Sequence, residues 1–538
     1  MSVMIKYTHL FFLHISCIFP SGTGVKMYSV IRTAVLEGIH SKSISIEVDI
    51  STGMPVFDMV GNLSSEVKEA KERVRTALHN CGIMLPANRI TINMCPANIK
   101  KSGTGFDVPI AVALLVSMGI VDEAKCADKV FVGELSLNGK ILGTNGVLPI
   151  VSDEFSRGVK KFVVPKANEN EARLVPGPQI FTFDNISELI VFLNGEEEKQ
   201  SYVADKDAKC KSKTSSVDFR DVNGQVFVKR ACEVAAAGMH NMLLVGPPGA
   251  GKTMVAERLP TILPSLSDEE KLELSKIYSV CGLLDNNSAL LCDRPFRNPH
   301  HTVTKAGIIG GGMNLKPGEI SLAHNGVLFL DELTEFNKET IEVLRQPLEE
   351  HRINLVRGNT SVVYPANFLL LAAMNPCNCG YYPDMQRCRC TATGVRRYLD
   401  KLSQPLIDRI DLCVEASALT YSEIVMKDNN ESSASIRKRV VQCHRIQRER
   451  YMSEKFRFNS RLPVSLMDKY CYLGDKENRY MESIYEKLQM TGRTYHKIIR
   501  VARTIADLDA SENIKLRHLS EAVCYRSLDN KYFGGDML

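Results

Sequence analysis

Met242-Leu243-Leu244-Val245, a short continuous apolar run, leads without a break into Gly246-Pro247-Pro248-Gly249-Ala250-Gly251-Lys252-Thr253. The eight residues have P-loop spacing, in which glycines let backbone N–H groups wrap a phosphate chain and the lysine reaches the terminal phosphates. Thr253 is placed to hold Mg²⁺ through its hydroxyl. A chance glycine turn would lack the strand before it and the helix after it, and Thr253 to Leu259 supplies that helix. The cofactor set is therefore ATP with Mg²⁺, held by Gly246, Pro247, Pro248, Gly249, Ala250, Gly251, Lys252, Thr253 and Asp331.

Working outward, Gly326-Val327-Leu328-Phe329-Leu330 reads as a buried strand that ends in Asp331-Glu332. Asp331 belongs in the Mg²⁺ shell, and Glu332 polarises the attacking water. A third buried strand, Phe368 to Met374, ends at Asn375, whose amide can bond the γ-phosphate or the water. Arg409 lies inside the apolar segment Pro405-Leu406-Ile407-Asp408-Arg409-Ile410-Asp411 and needs an anionic partner. A phosphate on a neighbouring subunit meets that need, and so does an intrachain pair with Asp408 or Asp411.

The chain has 538 residues, 44% of them hydrophobic and 24% charged, a composition that excludes disorder and multi-span membrane insertion and requires several domains. A net charge of +5 decides little about nucleic acid, so a polyanion site must be local. Most of the 16 cysteines sit singly in apolar runs, as expected for reduced thiols in a cytoplasmic protein. Residues 1–26 imitate a signal peptide, but His9, His14 and Ser16 interrupt the apolar run, and a second methionine, Met27, precedes the first patterned segment. They read as an extension or a misplaced start, and nothing else approaches a membrane span.

Residues 27–195 read as an α+β domain. It has strands at Ser43–Ile50 and Arg89–Met94 and near Val130 and Phe162, and helices at Glu66–Leu78 and Asp107–Met118. Residues 196–216, rich in Glu, Lys, Asp and Ser, read as a linker. Residues 217–420 alternate strands and helices as a parallel α/β sheet requires, and 421–538 form a basic helical domain. The predicted fold class is multidomain α/β, and no internal repeat is evident.

Four cysteines crowd into residues 377–390 as Cys377-x-Cys379 and Cys388-x-Cys390, which suggests a tetrahedral zinc site pinning an inserted loop. A reduced surface loop or a redox pair remains open. His300-His301 and His324 have no carboxylate at ligand spacing and read as hydrogen-bonded structural histidines. The turn Arg357-Gly358-Asn359-Thr360 reads as a hairpin with a cation at its tip, placed for a phosphate, or simply an exposed charge. Six basic residues against one acid between Arg437 and Arg450 either track phosphates or form a solvated helix face.

Longer motifs carry a resemblance. Val48-Asp49-Ile50-Ser51-Thr52-Gly53-Met54-Pro55, Lys101-Ser102-Gly103-Thr104-Gly105-Phe106-Asp107-Val108-Pro109, Phe296-Arg297-Asn298-Pro299-His300-His301 and Met374-Asn375-Pro376-Cys377-Asn378-Cys379-Gly380 make the chain similar to magnesium-chelatase-like AAA+ ATPases, and most closely to the bacterial ComM/YifB family. The resemblance spans nearly all of residues 27 to 530. It implies a central AAA+ core, a C-terminal helical lid, and a homo-hexameric ring with active sites between subunits. It also implies Arg409 as the finger and Arg493 as the second sensor. The implied activity is a cytoplasmic, ATP-driven DNA motor for branch migration of recombination intermediates during uptake of foreign DNA.

The first domain resembles the Lon protease domain, with its ribosomal S5-like fold, but Gly105 and Leu148 stand where the Ser–Lys dyad aligns. Leucine has no basic nitrogen, so the domain is expected to be non-catalytic, although Ser102 and Thr104 keep a protease alternative open. A chelatase-type motor remodelling a protein partner is the other alternative.

Overall fold

The computed structural model describes residues 27–195, 217–284, 290–358, 360–421, 423, 430–526 and 528–533. The readings of residues 1–26 as an extension and of 196–216 as a linker, and the hairpin residue Asn359, lie outside them. The chain divides into two compact units, Met1–Asp207 and Ala208–Leu538.

In the first unit, β1 (Tyr28–Glu37) and β2 (His40–Ser51) pair antiparallel from Tyr28↔Asp49 to Glu37↔His40. Then follow β3 (Val56–Val60), α1 (Ser65–Asn80), β4 (Arg89–Cys95), α2 (Asp107–Ser117), β5 (Lys129–Phe131), α3 (Val147–Ser156), β6 (Lys161–Pro165), β7 (Gln179–Phe183) and α4 (Ile186–Asn194). The seven strands form one mixed sheet in the order β3-β4-β2-β1-β5-β6-β7. Helix α1 buries Val67, Ala70, Val74, Ala77 and Leu78, a single stripe at helical spacing. Every residue of α2 is buried, which is why its sequence is apolar all round. Its one acid, Asp107, is satisfied by Arg73, which donates from Nε at 2.7 Å and Nη2 at 2.9 Å.

Leu148, at the aligned lysine position, lies fully buried in α3. Lys101 is buried too, and its amine donates to the Pro96 carbonyl. Among the described residues no lysine hydrogen-bonds to Ser102 or Thr104.

The second unit opens with α5 (Val226–Gly238), β8 (Met242–Val245), α6 (Lys252–Ile262), α7 (Asp268–Cys281), β9 (Phe296–Arg297) and β10 (Val327–Leu330). The antiparallel hairpin β11 (Arg352–Arg357) and β12 (Thr360–Pro365), β13 (Leu369–Met374), α8 (Ala392–Leu399) and β14 (Leu412–Glu415) come next. Helices α9 (Ser433–Arg450), α10 (Asp475–Lys487), α11 (Gly492–Leu508) and α12 (Leu516–Cys524) follow. Five strands form a wholly parallel sheet in the order β9-β10-β13-β8-β14. Strands β8, β10 and β13 are buried at every position, as unbroken apolar runs covered on both faces should be. The C-terminal helices share this core. Val440 and Cys443 of α9 and Ile498, Val501 and Ile505 of α11 pack in one cluster with Met242, Leu244 and Leu371. No helix among the described residues is long and apolar enough to cross a membrane.

Candidate nucleotide-binding site

Strand β8 ends at Val245 and α6 begins at Lys252, so Gly246 to Gly251 must turn the chain from sheet edge to helix N-terminus. Gly249 and Gly251 do this in the left-handed region, with φ of 78° and 79°, where a side chain is strained. The turn leaves the first N–H groups of α6 without intrahelical partners, at the positive end of the helix dipole, which suits phosphate. Lys252 Nζ donates to the carbonyls of Gly246 at 2.7 Å and Pro247 at 3.0 Å, and to Asn375 Oδ1 at 3.0 Å. Burial pushes the Lys252 amine down, and the negative charges of Asp331 and Glu332 oppose that.

Three neighbouring strands deliver the rest. Val245 of β8 pairs with Met374 of β13, and Leu330 of β10 pairs with Ala372 of β13, so Gly246, Asp331 and Asn375 emerge together at the carboxyl ends. Thr253 Oγ1 donates to Asp331 Oδ2 at 2.7 Å, and the Glu332 N–H donates to Asp331 Oδ1 at 2.9 Å. Adjacent oxygens of an octahedral Mg²⁺ shell lie about 3 Å apart, so the Thr253 hydroxyl and the Asp331 carboxylate fit that ion. Glu332 takes a left-handed backbone, φ 51°, and its side chain is 59% exposed, directed to solvent rather than tied into the core. His301 Nδ1 stands 3.7 Å from Glu332 Oε2.

The two sequence-predicted arginines are elsewhere. Asn241, immediately before β8, donates from Nδ2 to the Arg409 carbonyl at 3.2 Å, and Arg409 precedes β14. Because β14 runs parallel to β8, Arg409 stands at the amino end of the sheet while the P-loop is at the carboxyl end. Its Nη2 meets Glu349 Oε1 at 2.5 Å and its Nη1 donates to the Pro405 carbonyl. The intrachain partner is thus Glu349, not Asp408 or Asp411. Asp408 faces Arg493 at 3.6 Å, and Asp411 accepts the Asn241 N–H at 3.1 Å and faces Lys497 at 3.8 Å. Arg493 is 71% exposed.

With this geometry in place, comparison with known proteins is informative. Family profiles described as magnesium chelatase, subunit ChlI, as subunit ChlI of Mg-chelatase, and as its C-terminal region match residues 218–424, 46–168 and 430–526. An uncharacterized protein YifB of Salmonella typhimurium is 40% identical over 503 residues, which is 93% of this chain and 97% of that protein. The competence protein ComM of Haemophilus influenzae is 39% identical over 505 residues, with the same coverage of 93% and 97%. The chain belongs to the ComM/YifB family of magnesium-chelatase-like AAA+ proteins. A shorter similarity, 29% over 147 residues and 26% of each chain, links it to Lon protease 2 of Bacillus subtilis.

In this ComM/YifB chain the four clustered cysteines also converge. Cys377 Sγ lies 3.4 Å from Cys379 Sγ and 3.8 Å from Cys388 Sγ, Cys379 and Cys388 are 3.5 Å apart, and Cys390 Sγ completes a group lying within 4.8 Å. With Zn–S bonds of about 2.3 Å, a tetrahedral site has sulfur edges of about 3.8 Å, so the donor set fits zinc. Arg357 is exposed at the end of β11, next to Val356, which is 69% exposed.

Helix α9 spends much of its positive charge internally. Arg439 pairs with Glu233 and Glu431, Arg445 with Glu449, and Arg450 with Asp507. His324 is hydrogen-bonded to Glu273 at 2.9 Å and accepts the Asn367 N–H at 3.0 Å, the structural role expected of it. His301 is the residue the sequence reading undervalues, since only the fold brings it to Glu332.

Proposed function

We propose that this chain is an ATP-hydrolysing AAA+ motor that works as a homo-hexameric ring on DNA, driving branch migration during recombination of imported DNA. The observation that carries the reading is the meeting of Lys252, Thr253, Asp331 and Asn375 at three neighbouring strand ends, while Arg409 stands at the other end of the same sheet. Four residues of strand separate those ends by about 13 Å, so Arg409 cannot serve its own P-loop and is available to that of a neighbouring copy.

In this mechanism the backbone of Gly246 to Gly251 cradles the phosphates, and Lys252 offsets charge on the terminal one. Thr253 and Asp331 would hold Mg²⁺, which would supply Lewis-acid charge stabilisation when bound. Glu332 orients and polarises the attacking water, and Asn375, bonded to Lys252 at 3.0 Å, reports whether the γ-phosphate is present. The partner's Arg409 stabilises the transferring phosphoryl group and must first exchange Glu349 for it. Arg493, beside Asp408 at the same edge, is the second sensor.

Arg357 on the exposed hairpin supplies a phosphate contact to DNA. The name of the ComM relative, a competence protein, supports DNA as the substrate. The buried Leu148 at the aligned lysine position disfavours a protease. A chelatase-type motor acting on a protein would be indifferent to nucleic acid. ATPase rate with and without four-way DNA, together with strand exchange on that junction, tests the proposal. Stimulation with salt-sensitive binding is expected, and indifference to DNA overturns it.

A further inference from the structure

The cysteine cluster adjoins the candidate nucleotide site. Strand β13 ends at Met374, Asn375 accepts from Lys252, and Cys377 follows after a single proline. Gly380, with φ of +84°, lies so close to the P-loop that a Cβ there would come within 2.5 Å of Pro248 Cδ. The segment beyond Cys377, which makes the second of these contacts, has almost no core of its own. From Asn378 to Thr391 only Gly380 and Cys388 are buried. A segment with so little apolar burial needs another constraint to hold one conformation.

Four thiols within 4.8 Å provide it. Their Sγ separations of 3.4, 3.8 and 3.5 Å are far longer than a disulfide bond and close to the edge of a metal tetrathiolate. The Tyr382 N–H donates to Cys377 Sγ at 3.4 Å, the outer hydrogen bond that commonly orients a metal thiolate. An all-sulfur tetrahedral donor set selects zinc or iron over hard cations, and of the two a redox-inert Zn²⁺ suits a structural brace.

We propose that Cys377, Cys379, Cys388 and Cys390 bind one Zn²⁺, and that this zinc site fixes Pro248 and Asn375 in the geometry that binds nucleotide. The proposal rests on the nucleotide-site reading above and adds a metal requirement to it. Binding converts the thiols to thiolates, with their protons released to solvent.

The test uses the full-length protein. Metal analysis is expected to find one zinc per chain. Replacement by Co²⁺ should give sulfur-to-cobalt charge transfer and the visible bands of a tetrahedral site. Removing the metal with a chelator under reducing conditions, or making Cys388→Ser, should weaken binding of a fluorescent ATP analogue by about tenfold or more. Should Cys388→Ser fail to fold, Gly380→Ala provides a second arm. It keeps all four thiols and should retain zinc while losing nucleotide affinity.

Iron in place of zinc, absence of metal with masses that reveal disulfides, or unchanged nucleotide affinity in the zinc-free protein would each overturn the proposal. A zinc-replete wild type that binds no ATP would instead overturn the nucleotide-site reading, so the two failures are distinguishable.

Discussion

Replacing Arg409 with alanine separates catalysis from stability. The guanidinium is 13% exposed, and its ion pair is with Glu349, whose side chain is 59% exposed. A pair so open to solvent contributes about 0–1 kcal/mol, and the Pro405 carbonyl bond adds about 0.5–1.5 kcal/mol. Among the described residues the buried Nε has no partner, so removing it relieves a cost and offsets part of that loss. The folded state should therefore lose no more than about 1–2 kcal/mol, a shift of a few degrees in Tm. A finger acting on a neighbour's γ-phosphate contributes about 10³–10⁵ to turnover. Steady-state ATPase on four-way DNA, equilibrium binding of a fluorescent nucleotide and thermal unfolding should be measured on the same Arg409→Ala preparation. We expect kcat to fall by about 10³ or more, with nucleotide affinity nearly unchanged and the fold intact. Glu349→Gln, which frees the arginine but keeps it, should retain turnover. A loss of less than about tenfold in stable Arg409→Ala would refute the reasoning, because Arg409 would then be only a structural cation.

Three further outcomes follow from the same geometry. Glu332→Gln should still bind ATP but hydrolyse it about 10²–10⁴ times more slowly, and a normal burst of ADP in single turnover would contradict that. Burial pushes the Asp411 carboxyl up, but His240, Lys497 and Arg500 outweigh it and hold the group down at about 2. Its stabilisation is therefore present above the unfolded value near 3.9 and is lost as pH falls from there towards 2. Asp411→Asn should cost about 3–5 kcal/mol at neutral pH and flatten that acid loss, as chemical denaturation across pH would reveal. Arg357→Ala should weaken DNA binding and reduce the slope of log K against log salt by about 0.9 for each phosphate left without its cation, and an unchanged slope would remove Arg357 from the interface.

The candidate nucleotide site was legible where its residues are contiguous. Gly246 to Thr253 and the run into Asp331-Glu332 each join an unbroken apolar strand to its functional residues, and both sit where the spacing predicts. The hairpin also matched, with β11 and β12 running into the predicted turn as far as the Arg357↔Thr360 pair. Strand β1 escaped because Ile31-Arg32-Thr33-Ala34-Val35 lacks clean alternation, so its strand character comes from pairing with β2. Strand β9 is only two residues long, too short for any periodicity, and with it went the position of His301. Glu349 could not be named as the partner of Arg409 because 60 residues separate them. Local sequence favoured Asp408 and Asp411, which the fold gives to Arg493 and to Asn241 and Lys497.

The central claim, that each nucleotide site is completed by a neighbour, is tested most directly by mixing two inactive variants. Lys252→Ala lacks a working P-loop but keeps Arg409, and Arg409→Ala keeps Lys252 but lacks the finger. Neither alone should hydrolyse ATP. Subunits mixed in equal amounts and allowed to reassemble should recover about a quarter of wild-type turnover, since a random head-to-tail ring places an intact P-loop against an intact finger at one interface in four. Recovery near that level is the predicted result, and a mixture that stays as inactive as its components, with subunit exchange demonstrated, would contradict the account.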